Sequence, residues 1–344
     1  MRSMPGMTML IRDDLRRCVV FIGTHGDESN GGINCLGTAF LLEYETVRYL
    51  VAVQHIAVGL GDSPFLIRLN KSDGTADNVL VDPIEHNVRW FTNIDDPNVD
   101  LAIMPFNYLL QAAGYDCLFL HSKAFIGPVA DRPLARVGIG DTTYTIGLFQ
   151  LVAGKNRNLP VVHRGNIALM SGEEPVPVDD WLARGLGKVR HVDCYLVETQ
   201  SLKGLSGSPV FARASADWED FPVDGRHMPV RLSLRDVNLL GVWQGSWDSP
   251  PGTVLGVKDS YGARVPVGMG LVIPVEKMLC LLETDEMKNH RETVIKQRQA
   301  ADVASLDSVE PTKPAPPSAD EEPNHRERFR ALLDAAVKRP GSKE

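Results

Sequence analysis

Ser206 lies in the run Gly204-Leu205-Ser206-Gly207-Ser208-Pro209, followed by the apolar Val210 and Phe211. Glycines on both sides let the backbone turn through angles closed to other residues. Such a turn presents a hydroxyl and aims successive N–H groups at one point, where an oxyanion would form. The chemistry suggested is nucleophilic attack by Ser206. A serine hydroxyl attacks poorly at neutral pH unless a base takes its proton, and the base needs a carboxylate to orient it.

Nine histidines are available as the base. His25, His227, His290 and His325 lie in polar or loop-like stretches, and His86, His121, His163 and His191 suit capping or surface positions. His55 differs because it follows the apolar run Tyr49-Leu50-Val51-Ala52-Val53, itself preceded by Gly37-Thr38-Ala39-Phe40-Leu41-Leu42. Two strands joined by a hairpin, the second ending in histidine, would place the imidazole at a barrel rim. Asp100 is the candidate carboxylate. It leads directly into Leu101-Ala102-Ile103-Met104, and a buried carboxylate needs hydrogen-bond donors such as an imidazole N–H. Asp95 and Asp96 suit an exposed turn.

The elements that must position these residues read mostly as β. Short segments rich in Val, Ile, Leu, Thr and Tyr are separated by Gly, Pro, Asn and Asp clusters. Strands are expected at Cys18–Ile22, Gly37–Tyr44, Arg48–Val53, Phe65–Asn70, Asn78–Pro83 and Leu101–Phe106. A second series is expected at Thr143–Gly147, Asn158–Ile167, Val192–Thr199, Pro209–Ala212, Asn238–Gln244 and Gly268–Ile273. Two groups of strands without interleaved helices predict an all-β pair of barrels, joined across roughly residues 108–135. Residues 215–236 and 248–265 read as long loops or extra hairpins. After Pro274, Val275, Met278, Leu279 and Leu282 recur at helical spacing, and polar helix extends to about Ala300. Residues 307–323, proline-rich and acidic, read as a flexible linker. Asn324 to Lys338 predicts a short helix with Phe329, Leu332, Leu333 and Ala336 on one face, a candidate peptide for a partner's groove.

Bulk properties narrow the function classes. The 344 residues are 43% hydrophobic and 23% charged, with a net charge of -8, which disfavours a general nucleic-acid binder. Five dispersed cysteines without a C-x-x-C pair argue against a disulfide framework or structural zinc. The pattern fits free thiols in a cytoplasmic setting. No apolar run is long enough to span a bilayer, and no membrane partner is expected. Gly138-Ile139-Gly140 opens like a dinucleotide fingerprint, but Asp141-Thr142-Thr143 does not complete it. No cofactor or metal is expected.

With His55, Asp100 and Ser206 in that order, the chain resembles the trypsin-like serine peptidases of the chymotrypsin fold. The resemblance rests on GTAFLL with YLVAVQHI, VDLAIMPF, VGIGDTTYTIG, and GLSGSPVF with LLGVWQG and GMGLVIPV. It covers roughly residues 17–283 and is closest to the bacterial intracellular peptidases without disulfides. GxSGSPVF is also similar to glutamyl endopeptidases. The resemblance implies two six-stranded Greek-key β-barrels with an active site in the cleft between them, followed by a C-terminal helix and flexible tail. It implies Ser206 as nucleophile, His55 as base and Asp100 as orienting acid. It also implies an oxyanion hole from the N–H groups of Gly204 and Ser206, and pairing of an extended peptide substrate with the strand Val242-Trp243-Gln244-Gly245. The expected organisation is an extension (1–16), a first barrel (17–120), a second barrel with packing helix (121–285), a helical extension and linker (286–323), and a short helix with tail (324–344).

Some residues depart from the family pattern. Leu205 stands where the digestive enzymes carry an aspartate that receives a new N-terminus, so that activation switch is absent. Ile56 replaces the usual cysteine. Gln200, near the base of the expected primary pocket, carries no charge, so a Lys or Arg preference is not supported. Trp243 stands where glutamyl endopeptidases carry histidine, and would restrict the pocket to small side chains. Lys203 either favours anionic substrate groups or is simply solvated. Two functions follow: a serine endopeptidase recruited through its tail, or a non-catalytic peptide- or partner-binding module.

Overall fold

The computed structural model describes residues 13–27, 31–108, 110–122, 137–150, 154, 156–179, 189–200, 203–213, 220–223, 226–229, 237–249 and 265–307. Residues 308–323 of the linker expected over 307–323, the helix at 324–338, the residues before 13 and most of the two long loops lie outside them. The chain divides into two units, Met1–Ile295 and Lys296–Glu344. The second is described only over residues 296–307, which are helical.

Among the described residues the fold is mostly β. The first lobe holds β1 (Val19–His25), β2 (Ile33–Tyr44), β3 (Val47–Ala52), β4 (Phe65–Asn70), β5 (Ala76–Val81), β6 (Phe91–Thr92), β7 (Ala102–Pro105) and β8 (Leu120–His121). They pair in the order β5-β4-β1-β2-β3-β7-β6, with β8 branching from β2. The expectation of six strands closed into a barrel is therefore modified. Two-residue β6 and β8 are added, and among the described residues hydrogen-bond pairing leaves the sheet open between β5 and β6. The second lobe contains β9 (Thr142–Gly147), β10 (Val161–Leu169), β11 (Val176–Asp179), β12 (Val189–Val192), β13 (Tyr195–Glu198), β14 (Pro209–Arg213), β15 (Asp220–Val223), β16 (Arg226–Pro229), β17 (Asn238–Ser249) and β18 (Val265–Pro274). Six of these close a barrel in the order β10-β13-β18-β17-β14-β9, while β11-β12 and β15-β16 form separate two-stranded sheets.

Both lobes share one apolar core. It runs from Phe21, Phe40 and Leu50 in the first lobe to Ile146, Leu148 and Phe211 in the second. Inside the second barrel a further cluster gathers Ile167, Val197, Leu205, Val210, Trp243 and Val272. The strand β3 ends earlier than its sequence suggests. Ala52 is its last residue, and Gln54–Leu60 forms a short helix, α1, that buries Ile56, Ala57 and Leu60.

Two C-terminal helices, α2 (Val275–Leu282) and α3 (Asp285–Asp307), follow β18. The first buries Val275, Met278, Leu281 and Leu282. On the second, Met287 is fully buried and Arg291 is 3% exposed. Arg291 donates from Nε to Glu45 Oε2 at 2.9 Å, from Nη2 to Glu283 Oε1 at 3.0 Å, and from Nη1 to the Leu282 carbonyl. Glu45 and Thr46 form the β2–β3 turn with φ of 47° and 68°, a left-handed geometry that costs non-glycine residues energy. Arg291 thus anchors the helix to a strained hairpin tip.

His290, beside Arg291, packs edge-on against Phe91 with ring centroids 6.3 Å apart. Burial, then the nearby Arg291 and Arg89, push its pKa below the usual histidine value. A lowered histidine pKa means the unfolded chain takes up a proton before the folded one does. Stability is therefore intact above about pH 6.5, the ordinary histidine pKa, and falls as pH drops toward the folded-state pKa. The variant His290→Leu should show a shallower loss between about pH 7 and 5 than wild type in urea unfolding; an unchanged slope would remove His290 from the acid response.

Candidate functional site

The helix α1 supplies His55 from its first turn. Its backbone N–H donates to Asp100 Oδ1 at 2.8 Å, and its ring Nδ1 lies 2.6 Å from Asp100 Oδ2. An ionised carboxylate only accepts, so that ring nitrogen carries the proton. Asp100 immediately precedes the buried Leu101 and is itself fully buried. Burial raises its pKa above the ordinary carboxylate value, while hydrogen bonds and charge from His55 oppose the rise. Two donors from one residue fix both the carboxylate and the imidazole plane. The imidazole is one-third exposed, so the ring keeps a solvent-facing side.

Ser206 sits in a turn between the lobes. Gly204 has φ of 104° and Gly207 of 88°, both in the region that glycine alone adopts readily. Ser208 N–H donates to the Leu205 carbonyl at 2.9 Å, closing the turn. No hydrogen bond among the described residues uses the N–H groups of Gly204 or Ser206. The first lobe lies directly against this turn. Thr38 N–H donates to the Ser206 carbonyl at 2.9 Å. A Cβ placed on Gly37 would lie 2.9 Å from that carbonyl oxygen and would overlap Ile56, the neighbour of His55. A Cβ on Gly207 would overlap the Thr38 carbonyl and come within 3.6 Å of Ala52 Cα. Small residues on both sides thus let the Ser206 turn abut the segment that carries His55. The Ser206 hydroxyl donates to the Gln244 carbonyl at 3.1 Å.

Leu205 is fully buried among Ile167, Val197, Val210 and Trp243. The side chain before Ser206 is therefore a core anchor.

The strand β17 corrects the expected substrate edge. Val242 pairs with Pro209 on one side and Ile273 on the other. Trp243 donates its N–H to Ser208 and accepts from Gly207 N–H, while facing Val272 across the other edge. Both residues have their main chains committed to the barrel and cannot pair with a substrate strand. Past a bulge between Trp243 and Gly245, residues Gly245, Ser246 and Trp247 pair only with β18 among the described residues. Gln244, at the bulge, is 6% exposed and gives its carbonyl to Ser206, so the open edge starts at Gly245. Trp243 packs its ring against Gly270 inside the second barrel. Trp247 Nε1–H donates to the Pro177 carbonyl at 2.8 Å, tying the β11–β12 hairpin beside the open edge.

Gln200 is exposed and lines a cleft of about 470 Å³ with Arg164, Asn166, Glu198, Thr199 and Gly268. Ser201 and Leu202, which join it to the Ser206 turn, lie outside the described residues. Lys203 is exposed, and its carbonyl accepts from Gln150 N–H at 3.2 Å.

Thr38 also holds the Ser206 turn, although no sequence motif marks it. It is fully buried. Its hydroxyl donates to the Gly204 carbonyl at 2.8 Å and accepts from Leu148 N–H at 2.9 Å. A hydroxyl leading into the apolar run from Ala39 to Leu42 was the available signal, since a buried polar group requires a partner.

No protein-family model matches the sequence, and no curated protein does. Among solved structures, the chain is similar to an HtrA-type protease AlgW with decapeptide at 15% identity and a TM-score of 0.39. The match spans 77% of this chain and 63% of that one, less than two thirds of its length. It is also similar to the inactive form of the Rv3671c protease (14% identity, TM-score 0.37, 78% and 88% of the two chains). A third similar structure is Deg5 (13%, 0.40, 77% and 87%). Likenesses at this level assign no role to any residue here.

Proposed function

We propose that this protein is a serine endopeptidase that works through Ser206, His55 and Asp100. The observation that carries the reading is the His55–Asp100 pair, with the imidazole Nδ1 2.6 Å from a fully buried carboxylate. Such a pair sets the tautomer in which the other ring nitrogen can take a proton. Ser206 attacks the peptide carbonyl and passes its proton to His55. The imidazolium, stabilised by Asp100, then protonates the leaving amine. Water repeats the sequence to release the acyl group. The N–H groups of Gly204 and Ser206 receive the oxyanion, each worth about 3 kcal/mol of barrier. The substrate pairs with β17 from Gly245 onward by strand addition. The terminal segment 324–338 recruits a partner that delivers substrate.

A second reading, a non-catalytic peptide-binding module, is favoured by the Ser206 hydroxyl donating to a backbone carbonyl rather than awaiting a base. A fluorophosphonate probe separates the two. The peptidase reading expects stoichiometric labelling of the folded chain that Ser206→Ala abolishes. Folded protein that binds peptides on the β17 edge and never labels would establish the module instead.

A further inference from the structure

We infer that Thr38 is the positioning residue for the oxyanion loop, holding it by a neutral bridge between the lobes where residue 205 offers no charge. The inference rests on reading Ser206 as the nucleophile. Thr38 reaches the loop at three points. Its N–H holds the Ser206 carbonyl and its hydroxyl holds the Gly204 carbonyl, at 2.9 and 2.8 Å. Its own carbonyl lies where any side chain on Gly207 would have to go. The two peptide planes that these bonds orient flank the N–H groups proposed to bind the oxyanion. Rotation of either carbonyl would carry the adjoining peptide with it.

The hydroxyl is also tied from behind. It accepts from Leu148 N–H at 2.9 Å, the residue after β9. A Cβ at Gly147 would press to 3.0 Å from the same oxygen. Thr38 Oγ1 therefore has one donor and one acceptor, both backbone groups of the second lobe, and its rotamer is fixed. Leu205 completes the arrangement, since an apolar side chain buried in the barrel core pins the loop without any ion pair. The loop is held both by a hydrogen-bonded strand and by a hydrophobic anchor. In this chain the working shape is built into the folded state.

The test compares Thr38→Val, which keeps the shape and removes the hydroxyl, with Thr38→Ser, which keeps the hydroxyl. Both are checked for cooperative thermal unfolding. Thr38→Val should slow fluorophosphonate labelling and lower kcat on a peptide substrate about 10²-fold with KM little changed, and Thr38→Ser should restore most of the rate. Thr38→Val that labels at the wild-type rate overturns the inference, as does Thr38→Ser that is as slow as Thr38→Val, which would trace the effect to packing of the methyl group. Folded wild type that never labels overturns the peptidase reading instead. The bridge is then judged by amide exchange at Leu148: faster exchange in Thr38→Val but not Thr38→Ser supports it, and unchanged exchange in both overturns it.

Discussion

Replacing His55 with alanine should lower kcat for peptide hydrolysis about 10⁶-fold, and Asp100→Asn should lower it about 10⁴-fold. The first change removes the group proposed to take the Ser206 proton. The second is informative because it preserves shape. The introduced amide can still accept the backbone N–H of His55 through its remaining oxygen, so helix α1 keeps its anchor. Its NH₂ group, however, donates where a carboxylate oxygen accepted. The ring Nδ1 must then accept, the proton moves to the other nitrogen, and the imidazole cannot act as base. The expected signature is a large fall in kcat with little change in unfolding midpoint, read by steady-state kinetics beside thermal melts. Equal activity in Asp100→Asn would remove Asp100 from the mechanism, whatever its distance from His55.

The second large effect concerns stability and falls on Leu205. Leu205→Ala should cost about 3 kcal/mol, the usual range for a buried leucine truncated in a core. Leu205→Asp should cost more than about 4 kcal/mol at about pH 8, because the carboxylate would lie among Ile167, Val197, Val210 and Trp243. The two variants also differ in pH dependence. Burial would raise the folded-state pKa of the introduced carboxylate above its unfolded value. The penalty is then smallest at low pH, where both states are protonated, and grows as pH rises toward the folded-state value. Urea unfolding at about pH 5 and about pH 8 should show part of the loss recovered at the lower pH for Leu205→Asp relative to Leu205→Ala. A pH-independent difference would mean that the loop swings out to expose the side chain.

Apolar pattern revealed the strands, while the groups that act between strands were less visible. The strand Phe65–Asn70 is found where its Phe, Leu and Ile residues place it. The helix after Pro274 is found on its predicted face, shifted so that Leu281 is buried and Leu279 only partly so. Helix α1 escaped notice because it is seven residues long, has no side-chain cap and continues an apolar strand. Its consequence is specific: His55 stands on a helical turn, which lets its own N–H share Asp100 with its ring. The β17 edge was misjudged at Val242 and Trp243 because sequence gives strand identity but not which neighbour occupies each side. Thr38 was hidden for a similar reason. Its partners are Gly204 and Leu148, 166 and 110 positions away, and no local pattern reports a contact so distant in the chain.

Those separations also bear on when the proposed activity would appear as the chain folds. Contacts between residues far apart in sequence form late, because closing the intervening loop costs entropy before the contact returns any stability. The lobes can each assemble their ladders from nearer pairings. The bridge from Thr38 to Gly204 cannot form until the second lobe has docked on the first. The Ser206 loop would therefore acquire its shape in the last stage of folding, and on the peptidase reading partly folded chains would carry a serine without the surroundings proposed to make it reactive. Refolding followed in parallel by tryptophan fluorescence and fluorophosphonate labelling should show labelling competence lagging behind the main fluorescence change.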